Sequence, residues 1–270
     1  MGKISAEAKQ RYSDRVKEYK QQIEALQKRE KTVLEDIQKG ANGAGYKRVS
    51  LAEQRLNMAS LYLLLNRISL SMLSFKNDNF VREAHRCCYQ SLLFMEEVVT
   101  DLLDAPFSEY AEQLQAIEAL PETKRYALVR KLGFTIQSVS DDFGANTKWR
   151  WSFVELEGRL ATVAKNVVNL RTVISELDPR VEGYQERVEH IRLVKELLQR
   201  SADRYLERYT LATSRIDDFK QAISFLQALK RMHTILGEPD QADQVKRKAD
   251  VWKSRMDDEE KRAEQGGRPS

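Results

Sequence analysis

Proline and glycine are scarce in this chain, at 5 and 11 of 270 residues. A sheet protein of this length needs many such residues for its turns, so the shortage excludes an all-β fold. Cysteine is scarcer still, with only the neighbours Cys87 and Cys88. A disulfide between adjacent residues is strained. No CxxC pair or histidine cluster accompanies them, so the sequence predicts packed free thiols rather than a disulfide framework or a zinc site. Free thiols fit a reducing compartment, and a cytoplasmic location is expected.

Long apolar runs are missing too. The stretch Leu61-Tyr62-Leu63-Leu64-Leu65 ends at Asn66-Arg67, far short of the about 20 residues that span a bilayer. No apolar segment follows Met1-Gly2-Lys3-Ile4-Ser5-Ala6, so no secretory signal is expected in the chain as given. Ala6 stands where a myristoylation signal requires Ser or Thr. Charge does not lean to one side: 45 basic residues face 41 acidic ones. A nucleic-acid polycation is therefore not expected.

What the chain does contain is 41% hydrophobic and 32% charged residues arranged with helical periodicity. Pro106, Pro121, Pro179, Pro239 and Pro269 all fall at segment boundaries. Residues 1–39 read as an N-terminal coiled-coil helix. Tyr12, Val16, Tyr19, Ile23, Leu26, Val33 and Ile37 follow heptad steps, with Glu30 at the one polar site. Gly40, Gly43 and Gly45 mark residues 40–49 as a flexible linker.

Residues 50–143 read as a compact four-helix core. Segments 51–75 and 80–103 are apolar around much of their circumference, and a helix of that kind is surrounded by protein. The short Lys76-Asn77-Asp78-Asn79 connection makes them an antiparallel hairpin. Segments 108–120 and 121–143 follow, with Pro121 in a first-turn position.

Residues 144–236 carry the strongest pattern. Apolar side chains occupy consecutive heptad sites from Trp149 through Phe153, Leu160, Val167 and Ile174 to Leu177. The seam resumes at Val181 and runs through Ile191, Leu198, Tyr205, Tyr209, Ile216 and Phe219 to Leu226, with Lys195 its one polar site. This predicts a long coiled-coil arm with a corner near 178–180. Asp178-Pro179 starts a helix well, which favours a helical hairpin there. The unbroken register across it suits one Pro-kinked helix instead. The helix beginning near Val181 continues to about Leu236, and a hairpin leaves the far half of its seam without a partner from 149–177. The N-terminal helix, the compact core or another chain must cover it. Pairing of the Tyr205 and Tyr209 face with the Tyr12 and Tyr19 face is one hypothesis, and a homodimeric seam is its rival. Residues 237–270 are expected to form a short helix bearing Val245, Ala249, Trp252 and Met256, then a frayed tail.

Chemistry finds little footing. His85, His190 and His233 lie on different segments without i, i+4 ligand partners. Glu186 and Glu189 stand at the wrong offsets from His190 for a di-iron bundle. No phosphate loop, nucleophile elbow or dinucleotide turn occurs. The runs Lys47-Arg48 and Lys246-Arg247-Lys248 are balanced by nearby acids such as Asp257 and Asp258, as on a solvated face. The expectation is a protein without catalysis, cofactor or metal: an all-α structural or adaptor protein that assembles partner proteins, itself included, through coiled-coil faces. The candidate interaction residues are Trp149, Trp151, Tyr205, Tyr209, Phe219, Tyr12 and Tyr19. Trp151 lies off the seam, where it serves either to plug the junction of core and arm or to anchor a partner. The alternative is a membrane-surface dimer of the BAR type, which shares the plan of long, kinked antiparallel helices. No transmembrane segment is expected on either reading.

Overall fold

The computed structural model describes residues 6–144 and 149–266. Expectations about 1–5, 145–148 and 267–270, including the frayed tail, lie outside the described residues. Among those described, regular structure consists of ten α-helices and one π-helical turn, with no strand. The all-α fold class holds. The residues divide into two compact units: the chain up to Thr100 with Gln113–Leu156, and Asp101–Glu112 with the chain from Glu157 onward.

The first unit contains α1 (Ala6–Gln38), α2 (Ala44–Leu73), α3 (Asp78–Val99), the end of α4 (Phe107–Gln115), α5 (Glu122–Phe143) and the start of α6 (Ser152–Asn166). The α1 stripe forms at the heptad sites. Val16, Ile23 and Glu30 are buried, and Tyr12, Tyr19, Leu26, Val33 and Ile37 are half-buried. The partner of α1 is α2, in the same unit. Gln54 donates to the Leu26 carbonyl, and Arg55 pairs with the buried Glu30. The one polar heptad site is thus an ion pair reaching into the α1–α2 contact.

The expected flexible linker is instead a tight corner, because α2 already begins at Ala44. Gly40 at φ 77° and Gly43 at φ 75° turn the chain in the left-handed region, where a Cβ is unfavourable. Helices α2 and α3 form the expected hairpin, and α5 packs on both. Pro121 stands one position earlier than expected, in the N-cap place of α5. Cys87 and Cys88 are buried free thiols on α3. Burial raises Cys87 to about 11 and pushes Cys88 higher still.

The second unit departs further from expectation. Helix α6 ends at Asn166, and only the short α7 (Val173–Glu176) interrupts the irregular stretch before α8 (Tyr184–Arg208). The 149–177 seam is therefore not one helix. Asn169 and Asp178 each accept the backbone N–H two residues on, from Arg171 and Arg180, and these local turns compete with helix. The chain reverses across Asp178-Pro179 rather than running through it as a kinked rod. Beyond Glu157, α6 faces α8: His190 Nε2 lies 2.9 Å from the Ala164 carbonyl, and Arg204 lies 3.5 Å from Glu157.

The expected single helix to Leu236 is also corrected. A π-helical turn (Tyr209–Thr213) closes α8. Ser214 adopts φ 48°, Arg215 is extended, and α9 (Ile216–Ile235) returns antiparallel along α8. The buried Asp218 carboxylate accepts from Thr213 Oγ1 at 2.5 Å and pairs with Arg208, clamping the corner. Tyr205 stacks on Phe225 with centroids 5.5 Å apart, and Tyr209 tilts onto Phe219 at 4.9 Å. Both pairs are nearly symmetric about Ser214. The seam covers itself because the chain folds back where the sequence pattern runs on.

The last helix, α10 (Pro239–Gly266), has 28 residues, not a few turns. It packs on α9 along the expected Val245, Ala249, Trp252 and Met256 stripe, and Met256 joins Phe219 and Ile223 in a buried cluster.

Two outcomes follow from this packing. Arg55→Ala strands the buried Glu30 carboxylate and is expected to cost about 3–5 kcal/mol in urea unfolding, whereas the paired change Glu30→Leu with Arg55→Met costs far less. At Gly158 an added Cβ would stand 2.9 Å from the Tyr205 ring and 3.1 Å from the Phe225 ring. Gly158→Ala is expected to destabilise by about 1–3 kcal/mol despite its better helix propensity.

Candidate interaction site

The first unit exposes Phe75 at the turn between α2 and α3, while a second exposed phenylalanine, Phe134 at 75%, stands in the middle of α5. Ser74 leaves α2 in the left-handed region at φ 51°, and Asn77 caps α3 by accepting from the Asn79 N–H at 3.1 Å. Asn66, only 3% exposed, anchors the turn. Its Oδ1 accepts from the Asn77 N–H at 2.9 Å, and its Nδ2 donates to Asp142 on α5 at 3.1 Å. Ser69 Oγ donates to the Phe75 carbonyl at 2.7 Å, and Lys76 Nζ to the Phe143 carbonyl at 3.1 Å. A buried polar group that is fully bonded on both sides holds a single geometry.

On this fixed turn the large apolar side chains point outward. Phe75 is 60% exposed and Leu70 53%. Phe143, next to the Lys76 contact, carries Trp149 on its ring at 5.5 Å. Two residues further, the Arg150 guanidinium lies over the Trp151 indole, 4.7 Å from its centroid. The same end of the unit thus offers phenylalanine and leucine beside tryptophan and arginine, and the last two are residue types enriched in protein–protein hot spots.

The seven sequence candidates do not fall in one place. Trp149 and Trp151 lie at this end, both half-buried. Tyr12 and Tyr19 are half-buried on the α1 stripe facing α2. Tyr205 and Phe219 are buried inside the α8–α9 pairing, at 7% and 0% exposure, and so are core rather than open seam. Tyr209 packs on Phe219, and its hydroxyl donates to Glu259 on α10. Phe75 and Leu70 were missed, because their residue types match the core pattern around them. The positive-φ Ser74 that turns Phe75 outward leaves no mark in the sequence.

Each histidine is engaged in packing. His85 sits edge-on to Phe143 and Phe153, and burial lowers its basicity. His190 is wholly buried against the Ala164 carbonyl. His233 Nδ1 meets Glu238 at 2.6 Å. Among the described residues no group of three or more His, Cys, Asp or Glu is placed to hold a metal ion, and no helix is long and apolar enough to cross a membrane.

Fold and site together define an all-helical protein of two units, one of which ends in a rigid aromatic turn. The chain belongs to the TP0443 family, whose model matches residues 8–260. No curated protein and no solved structure matches it.

Asn66→Ala removes the anchor and leaves the Asn77 N–H without its partner. The expected loss is about 1–3 kcal/mol in denaturant unfolding. Phe75→Ser, at an exposed position, should stay within about 0.5 kcal/mol of the parent.

Proposed function

We propose that this protein is a non-catalytic adaptor that binds another protein through the α2–α3 turn of its first unit. The observation that carries the reading is Phe75, a large aromatic side chain left 60% exposed on a turn whose backbone is locked by buried hydrogen bonds. An apolar anchor held rigidly loses little conformational freedom on binding, so more of its burial is retained as affinity. Leu70 adds apolar area, and the stacked Arg150–Trp151 pair supplies a polar edge. In this reading the partner is a protein with an apolar pocket for Phe75 and an acidic rim for Arg150 and Lys76. Trp151 then serves as a partner anchor.

The membrane-surface alternative drew on long, kinked antiparallel helices, whereas α8 and α9 are antiparallel but only 25 and 20 residues long. An exposed Phe beside a Lys can also enter a lipid headgroup layer, so the experiment has two arms. A photoreactive phenylalanine analogue is placed at position 75, and at the exposed Leu211 as a control. In the native cell, position 75 should give a discrete protein adduct that Trp151→Ala weakens without lowering the melting temperature. The same adduct from position 211, or none from position 75, overturns the adaptor reading. Pelleting with anionic vesicles that Phe75→Ser abolishes would favour the membrane surface instead.

A further inference from the structure

A separate feature lies wholly in the second unit. A cavity of about 250 Å³ opens between the N-terminal end of α4, the loop after α6 and the C-terminal half of α9. Its wall is largely apolar, with Leu170 and Met232 among the lining residues. Its charges are unequal: Lys165, Arg171 and Arg231 against the single carboxylate of Asp104.

The three cations differ in how far they are satisfied. Arg231 pairs with the Asp104 carboxylate and donates to its backbone carbonyl at 3.1 Å. Arg171 lies over the Phe107 ring, 5.4 Å from its centroid, and is open to solvent. Lys165 is 4% exposed, and its ammonium makes no hydrogen bond or salt bridge among the described residues. Its neighbour is the Tyr110 ring, 5.6 Å away. The Tyr110 hydroxyl is itself buried without a hydrogen-bond partner.

A buried ammonium without a counter-charge is costly. Burial, reinforced by Arg231 and opposed by Asp104, draws Lys165 down to about 8, so it still carries its proton at neutral pH. Of these two groups Lys165 lines the cavity, so an ammonium without a hydrogen-bond partner meets a space large enough for a small molecule. The nine-residue α4 begins at Phe107, on the rim, and directs the positive end of its dipole there.

We propose that this cavity binds a small organic anion with an apolar body, its carboxylate or phosphate-monoester head at Lys165 and its hydrocarbon against Leu170 and Met232. Arg231 is occupied by Asp104 and orients the head without neutralising it. Arg171 closes the open side. A neutral molecule of the same shape would leave the ammonium unpaired, so discrimination rests on charge.

Calorimetry and thermal melting of the full chain with octanoate and with octyl phosphate test this, with octanol and inorganic phosphate as controls. At least one alkyl anion should bind 1:1 and raise the melting temperature, while octanol binds at least tenfold more weakly. Lys165→Met keeps the aliphatic stem and removes the buried charge. It should melt no lower than the parent and bind the anion at least tenfold more weakly. Arg171→Gln, at an exposed position, should weaken binding several-fold. Failure of both alkyl anions to bind overturns the proposal, as does octanol binding as tightly or Lys165→Met binding undiminished. Binding of inorganic phosphate alone overturns it too, since the apolar body would then have no role. None of these outcomes bears on the reading of the first unit.

Discussion

A long helix with an apolar stripe has to cover that stripe, and in this chain each stripe is covered from within its own unit. The heptad face of α1 lies on α2, and the face of α8 lies on α9. The second case is the more consequential. Tyr205 on Phe225 and Tyr209 on Phe219 pair across the corner at Ser214, so a seam that looks like an assembly face is used up in a hairpin. Gly158 allows the closest approach, with no Cβ to strike the Tyr205 and Phe225 rings. A larger residue at position 158 would separate α6 from the aromatic pair on which the α8–α9 contact rests.

Several buried polar groups fix geometry, and Lys165 stands in contrast to them. Asn66 uses both ends of its amide, Glu30 is met by Arg55, and Asp218 receives both Thr213 and Arg208. Each stands at a corner or at a helix–helix contact, where a satisfied polar group selects one register over its neighbours. Lys165 has the same burial without the same satisfaction. That contrast, more than the cavity's size, is what the proposed anion site rests on.

Much of the fold was legible in the residues. The 3.6-residue periodicity and the lack of Gly and Pro identify an all-α chain. The α1 face is buried or half-buried at the heptad positions read from the sequence, and Lys76-Asn77-Asp78-Asn79 marks the α2–α3 corner. The error in the 181–236 segment has a plain cause. Periodicity reports which side of a helix is apolar, but not whether the chain continues or doubles back, because both arrangements present the same face. At 213–215 the chain turns with Thr, Ser and Arg, not Gly or Pro, and the register happens to continue. Asp217 and Asp218 in the first turn of α9 were the available signal, since acids favour helix N-termini.

Trp149 and Trp151 were named as interaction candidates from the sequence, whereas Phe75 and Lys165 were not. Sequence by itself determined the secondary structure class, the apolar faces and the free thiols, because these follow from side-chain chemistry and local spacing. Tertiary structure alone decided that Phe75 points outward from the Ser74 turn and that Tyr205 and Phe219 are core. It also decided that Lys165, on an otherwise buried stretch of α6, faces a cavity. Exposure and pairing depend on which distant segments fold back over a residue, and local spacing holds no record of that.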